Sequence, residues 1–262
     1  MITLLKLGGS LITDKRQAHT AREDVIAQAA EEIRKVRENN SFPLILGHGS
    51  GSFGHFPAKK YHTREGVSTA EEWRGFLEVH NEALALNEIV MKILLAAGLP
   101  CVAFPPIGSI TARDGRIRKW DCGPLLAAMN AGLIPVIFGD TVFDDEIGGT
   151  IVSTEDLFVR LCDELPESPN ILLAGLEAGV WRDFPANTEI VKTIPVNDEN
   201  SAYDFVKASE FTDVTGGMSE KVALMKSLVR AGKAGRVQIF SGRKGNLSLA
   251  FYGHNPGTEI IQ

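Results

Sequence analysis

Two apolar runs of strand length, each closed by a cluster of glycines, constrain this chain more than any other feature. Phe42-Pro43-Leu44-Ile45-Leu46 reads as a buried strand and leads into Gly47-His48-Gly49-Ser50-Gly51-Ser52-Phe53-Gly54-His55. Ile2 to Leu7 reads as a second strand and ends in Gly8-Gly9-Ser10. Between them, Thr20 and Glu23 have capping-box spacing, and Val25, Ile26, Ala29, Ile33 and Val36 recur at helical spacing. Strand, glycine turn, helix, strand, glycine turn is a βαβ unit, which places the chain in the α/β class.

The second glycine cluster has the composition of an anion site. Glycines at 47, 49, 51 and 54 free the backbone to aim several N–H groups at one point. Ser50 and Ser52 add hydroxyl donors, and His55 closes the stretch with a side chain that titrates near neutral pH. Lys6 and Lys15 flank the first glycine turn, an arrangement suited to clamping phosphate. A third such stretch, Thr212-Asp213-Val214-Thr215-Gly216-Gly217-Met218-Ser219-Glu220-Lys221, precedes a helix whose Val222, Met225, Leu228 and Val229 share a face. It offers N–H groups, a helix N-terminus and Lys221 to a phosphate.

The remaining pattern fills out the same class. A long helix is expected from Ser68 or Thr69 to Ala97, with Ser68 and Glu71 at capping-box spacing. Trp73, Phe76, Leu77, His80, Leu84, Asn87, Met91 and Leu94 fall on one face, mostly core. Phe76, Val79 and, from a later strand, Phe104 are candidates for the wall of an apolar pocket. Thr111 to Lys119 reads as a hairpin around Asp114-Gly115, with its basic residues on a solvated surface. Leu125 to Ala131 reads as a short helix with Gly132 as its C-cap. Strands are expected at Cys101–Phe104, Ile134–Phe138, Ile171–Ala174 and Val237–Phe240. Gly139-Asp140, ending one of them, suits the ligand edge of a parallel sheet. Ser153-Thr154-Glu155-Asp156 reads as a helix start, and by pattern alone Asp156 is a first-turn acid complementing the helix dipole. Pro166 to Asn170 marks a boundary between an N-terminal lobe, 1–165, and a C-terminal lobe, 166–262.

Bulk composition excludes more than it selects. The net charge of −6 over 262 residues does not suggest nucleic acid as a partner, so an anionic substrate requires local positive charge. Cys101, Cys122 and Cys162 have neither metal nor disulfide spacing and read as core thiols of a reducing compartment. No signal peptide or membrane span is apparent, which leaves a cytoplasmic location as the expectation. The chain contains no Walker A sequence. Gly49, Gly51 and Gly54 do match the GxGxxG spacing of a dinucleotide site. That reading expects the glycines to run directly into a helix, whereas His55-Phe56-Pro57 follows, and the acids at the right distance, Glu71 and Glu72, begin a helix. An NAD(P)-dependent oxidoreductase is therefore the alternative from another reaction class.

Taken together, Lys6, Gly8-Gly9-Ser10-Leu11-Ile12-Thr13, Lys15, the 49–55 stretch, Gly139-Asp140, and Asp213 to Met218 with Lys221 resemble the amino acid kinase superfamily. The branch most similar is that of the isopentenyl phosphate kinases, with fosfomycin kinases sharing much of the same set. The resemblance implies an open αβα sandwich with a largely parallel sheet, an acceptor site in the N-terminal lobe, ATP in the C-terminal lobe, Mg²⁺ with the ATP, and a homodimer. It implies that His55, with the Gly49, Ser50, Gly51, Ser52, Gly54 and Gly139 surfaces, holds the acceptor phosphate. Lys6 and Lys15 would offset charge on the transferring group. Gly8, Gly9, Ser10, Asp213, Thr215, Gly216, Gly217 and Lys221 would contact ATP. A carboxylate at the position of Asp156 would orient the lysines. The family's Ser-Gly-Asp-Asp stands here as Ser153-Thr154-Glu155-Asp156, leaving Glu155 as the other possibility. The family's Thr-Asp-Val-Asp-Gly-Val loop is replaced by Ala174-Gly175-Leu176-Glu177-Ala178-Gly179-Val180, which leaves the nucleotide-base contacts open.

Overall fold

The computed structural model describes residues 1–14, 16–197 and 217–262. Lys15, Asp213, Thr215 and Gly216 of the expected site lie outside the described residues. In chain order the first half contains β1 (Thr3–Leu7), α1 (Gly9–Ile12), α2 (Glu23–Asn39), β2 (Leu44–His48), α3 (Gly51–Tyr61), α4 (Ala70–Ala96) and β3 (Cys101–Ala103). There follow β4 (Ile110–Arg113), β5 (Arg116–Trp120), α5 (Gly123–Asn130), β6 (Ile134–Phe138), β7 (Asp140–Asp144), β8 (Gly148–Val152) and α6 (Thr154–Glu164). The chain closes with β9 (Asn170–Gly175), β10 (Val180–Trp181), β11 (Ile190–Val191), β12 (Thr193–Pro195), α7 (Gly217–Arg230), β13 (Arg236–Ser241), α8 (Asn246–Phe251) and β14 (Thr258–Ile261).

One sheet organises all of this. Its strand order is β12-β14-β13-β9-β1-β2-β6-β3, and every neighbouring pair is parallel except β13–β14. The central strands are buried along their whole length because helices cover both faces. On β1 the alternation of a strand sorts the side chains: Leu4 packs with α5, α6 and α7, whereas Leu5 and Leu7 pack with α2 and α4 on the other face. The result is the open αβα sandwich expected. The expected lobe boundary falls between α6 and β9, yet β9 pairs directly with β1, so the sheet runs through that point unbroken. A smaller four-stranded sheet, β5-β4-β7-β8, includes the expected hairpin. Asp114 and Gly115 both take positive φ in its two-residue turn.

Helix starts depart from expectation in three places. α4 is capped by Thr69 and Glu72, one residue beyond the expected pair. α2 begins after Arg22 with no side-chain cap, because the Thr20 hydroxyl donates to the Ala18 carbonyl instead. α3 runs straight from the glycines through Pro57, giving up one interior hydrogen bond to do so. The premise that the 49–54 glycines do not lead into a helix is thus overturned. On α4, Phe76, Val79, Ala83, Leu86, Asn87, Val90 and Leu94 are buried, but Leu77 is exposed. Cys122 and Cys162 are buried and Cys101 half-buried, and burial pushes their thiols up to about 12.

Candidate active site

The site forms where β1, β2, β6 and β9 end. Lys6 is the fourth residue of β1 and shares a face with Leu4, the face covered by α6 and α7. That register sends its side chain to Glu155, in the first turn of α6. Glu155 also pairs with Lys221 of α7, at 3.6 Å from its other oxygen. A carboxylate with a side chain 8% exposed therefore bridges two lysines contributed by different elements. Burial opposes its charge, but the Lys6 and Lys221 ammonium groups outweigh that and hold Glu155 well below the usual carboxylate range.

Asp156 does something else. Its Oδ2 accepts from Ser153 N at 2.8 Å and Ser153 Oγ at 2.7 Å, while its own N–H donates to Ser153 Oγ. This is a capping box at the start of α6. The acid that meets Lys6 and Lys221 is Glu155 rather than Asp156, and Asp156 stands as the first-turn acid of α6. The cap itself is the signal: an acid at the third helical position is occupied by its N-cap, so the acid before it is available to the sheet.

The two glycine turns of β1 and β2 press backbone against backbone. A Cβ on Gly9 would lie 2.5 Å from Gly51 N, and one on Gly49 would lie 2.9 Å from Gly9 N. Thr13 locks the contact, its hydroxyl donating to Gly9 O and accepting from Ser52 N. Gly9→Ala should therefore destabilise the protein by about 1–3 kcal/mol, because backbone rather than a rotatable side chain meets the new methyl. Gly108→Ala, with open space around its Cβ, is the control and should leave the thermal midpoint nearly unchanged.

Among the described residues, three spaces that share lining residues lie over the strand ends. The middle one, a 70 Å³ cleft, is walled by Lys6, Gly8, Gly9, Ser10, Gly49, Ser50, His55, Gly139, Glu155 and Lys221 among others. It shares Lys6, Gly8, Ser10 and Lys221 with a 430 Å³ cleft bordered by Gly175, Leu176, Glu177, Gly217, Met218 and Phe240. On its opposite side it shares Ser50, His55 and Gly139 with a 20 Å³ hollow that adds Gly54, Ala58, Arg64 and Val79. Most of the expected site residues are thereby brought together.

Four are not. Ser52 is buried, its N–H given to Thr13 and its hydroxyl accepting from Thr20 N, and Gly51 is buried beneath it at φ 50°. Phe76 is fully buried in a cluster with Trp73 and Phe143 rather than lining the hollow. Phe104 packs against the core on the α5–α7 side. Only Val79 of the three expected apolar wall residues reaches the site.

Further polar residues sit beneath and beside it, and of these the sequence reading passes over His48, Asp14, Arg16 and Arg22. His48 Nε2 lies 3.2 Å from Asn87 Oδ1, and the ring stacks on Phe138. Burial depresses the His48 pKa, which keeps the ring neutral. The Thr154 hydroxyl and Gly139 N–H both donate to the His48 carbonyl, joining β2 to α6 and to the end of β6. His80 Nδ1 donates to the buried Asp140, 3.0 Å from each oxygen. Asp14, Arg16 and Arg22 line the larger cleft.

A sequence profile of the amino acid kinase family matches residues 1–241. The chain belongs to the amino acid kinase family. Within the family it is 32% identical over 268 residues to an isopentenyl phosphate kinase of Methanocaldococcus jannaschii, covering 99% of this chain and 98% of that one. It is 33% identical to an isopentenyl phosphate kinase of Haloferax volcanii, covering 99% and 98%. A solved structure of an isopentenyl phosphate kinase superposes with a TM-score of 0.80 at 27% identity, covering both chains completely. Membership of the family, and not the loop geometry, is what sets the dinucleotide reading aside.

Proposed function

We propose that this protein transfers the γ-phosphoryl group of ATP to isopentenyl phosphate, giving isopentenyl diphosphate and ADP. The observation that carries the reading is the Lys6–Glu155–Lys221 cluster, which stands where the large cleft meets the small one. The large cleft has the size and glycine-edged rim for ATP, and the small cleft has His55 and the Gly49 turn for a phosphate acceptor. The full-length relatives described above are kinases of this acceptor.

The chemistry asks for these groups and little more. A phosphate monoester has its second pKa near 6, so it is largely a dianion at neutral pH and is already a nucleophile. The barrier lies in bringing two polyanions together, so positioning and charge stabilisation carry the catalysis. His55 holds the acceptor phosphate. Lys6 offsets charge on the transferring group, Lys221 binds the ATP phosphates, and Glu155 fixes both lysines. Lys15 would add a further positive charge. Mg²⁺ would accompany the ATP phosphates and offset their charge. The division into an acceptor-binding N-terminal part and an ATP-binding C-terminal part follows the same two clefts. The homodimer and the cytoplasmic location rest on the family resemblance and the thiol content; no helix among the described residues is long and apolar enough to cross a membrane.

The test is ADP release with Mg-ATP and isopentenyl phosphate, dimethylallyl phosphate, fosfomycin or no acceptor. Turnover should be strong with isopentenyl phosphate alone or with its isomer. Preference for fosfomycin would move the protein to that branch, and release no faster than without acceptor would overturn the reading.

A further inference from the structure

The hollow beside His55 is lined by an arginine whose donors the described residues leave partly unused. Arg64 lies in the turn Thr63–Glu65 that follows α3. Its carbonyl accepts from the Thr150 hydroxyl at 3.0 Å, which pins the backbone to β8. Arg64 lines the hollow together with Ser50, His55, Gly139 and Ile151, the residues that the hollow shares with the acceptor cleft. Its Nη1 is covered and has no hydrogen-bond partner among the described residues. Nη2 lies 3.7 Å from Asp156 Oδ2, an oxygen that already accepts twice from Ser153. The guanidinium is thus held in place with donors to spare.

A guanidinium at the edge of a binding cleft, with donors that the protein does not use up, is suited to a ligand that brings acceptors. The fixed positive charge and planar fork select an anion, and phosphate above all. The hollow itself, at 20 Å³, admits little more than a water-sized group. A ligand that uses this arginine therefore sits in the cleft next door and meets the accessible part of a side chain that is 35% exposed. Resting on the acceptor assignment above, we propose that Arg64 binds the phosphate of the acceptor, as a second cationic contact beside His55.

Arg64→Gln and Arg64→Lys, assayed with isopentenyl phosphate and Mg-ATP varied in turn, test this. Arg64→Gln should raise the acceptor KM about tenfold, equivalent to about 1.4 kcal/mol, and leave the ATP KM within about twofold. Arg64→Lys should recover part of the loss. The factor should be the same at pH 6.5 and 8.5, because a guanidinium does not titrate there. A second readout needs no turnover: inorganic phosphate should raise the thermal midpoint of the wild type more than that of Arg64→Gln. If the wild type does not phosphorylate isopentenyl phosphate, the function falls, and the phosphate shift still decides for or against Arg64. An acceptor KM within twofold of wild type in both variants, or an equal phosphate shift, overturns the assignment. Should Arg64→Gln fold poorly, the same comparison in Arg64→Lys stands in its place.

Discussion

Glu155→Gln should cost the protein both stability and turnover. Lys6 and Glu155 have side chains 11% and 8% exposed, so the variant leaves a buried ammonium facing a neutral amide. Removing one partner of a buried pair costs about 3–5 kcal/mol. Lys221, more exposed, keeps its water but loses its anchor. With the carboxylate that bridges the two cations neutralised, kcat/KM should fall by about 10²-fold or more, the scale of a lost charge-stabilising contact. Asp156→Asn makes the comparison sharp, because an amide oxygen can still accept from Ser153. Its cost should stay within about 1 kcal/mol of helix capping, with kcat close to wild type. Equal loss of turnover in the two variants would show that the lysines are not Glu155's charge alone. The pH dependence follows from the same carboxyl. Its folded-state pKa is lowered, so its contribution is fully present above the unfolded value near 4.5 and is lost as pH falls towards about 2. Acid titration of the thermal midpoint should therefore be flatter in Glu155→Gln than in wild type across that window.

His55→Gln and His55→Ala should lower kcat/KM for isopentenyl phosphate by about 10²-fold, the range of a group that contacts the reacting phosphate. His55 stands on α3 at the boundary between the cleft and the hollow, on the side away from the large cleft. The ATP KM should therefore change by less than about threefold. If both variants retain acceptor kcat/KM within about threefold of wild type, His55 does not hold the acceptor, and Arg64 and the Gly49 turn are left to do so.

The parts of this site that could be read from sequence are those fixed by neighbours in the chain. Lys6, Gly8, Gly9 and Gly49 follow from an apolar run ending in glycine, and the α/β class follows from the spacing of those runs. Val79 reached the site because helical spacing placed it one turn from the core residue Phe76. What could not be read depends on distant partners. The Ser52 N–H is given to Thr13 and its hydroxyl oxygen accepts from Thr20 N, both more than thirty residues away. Phe76 and Phe104 look alike as apolar candidates, and only the stacking of layers sends each into the core. Pro57 signals a helix end locally, but the packing of α3 against α4 carries the helix past it. The choice between Glu155 and Asp156 is intermediate: the capping box is local, but the lysines that meet the other acid come from β1 and α7.

The bridging carboxylate has a consequence for the cycle between turnovers. Two ammonium groups converging on one cleft repel each other. Glu155 places a negative charge between them, so in the proposed transfer the fold rather than the substrate sets where the lysines stand. The reorganisation that a loose pair of cations would undergo at every turnover is completed once, during folding. Substrate binding energy is then available for drawing the acceptor towards ATP rather than for assembling the site.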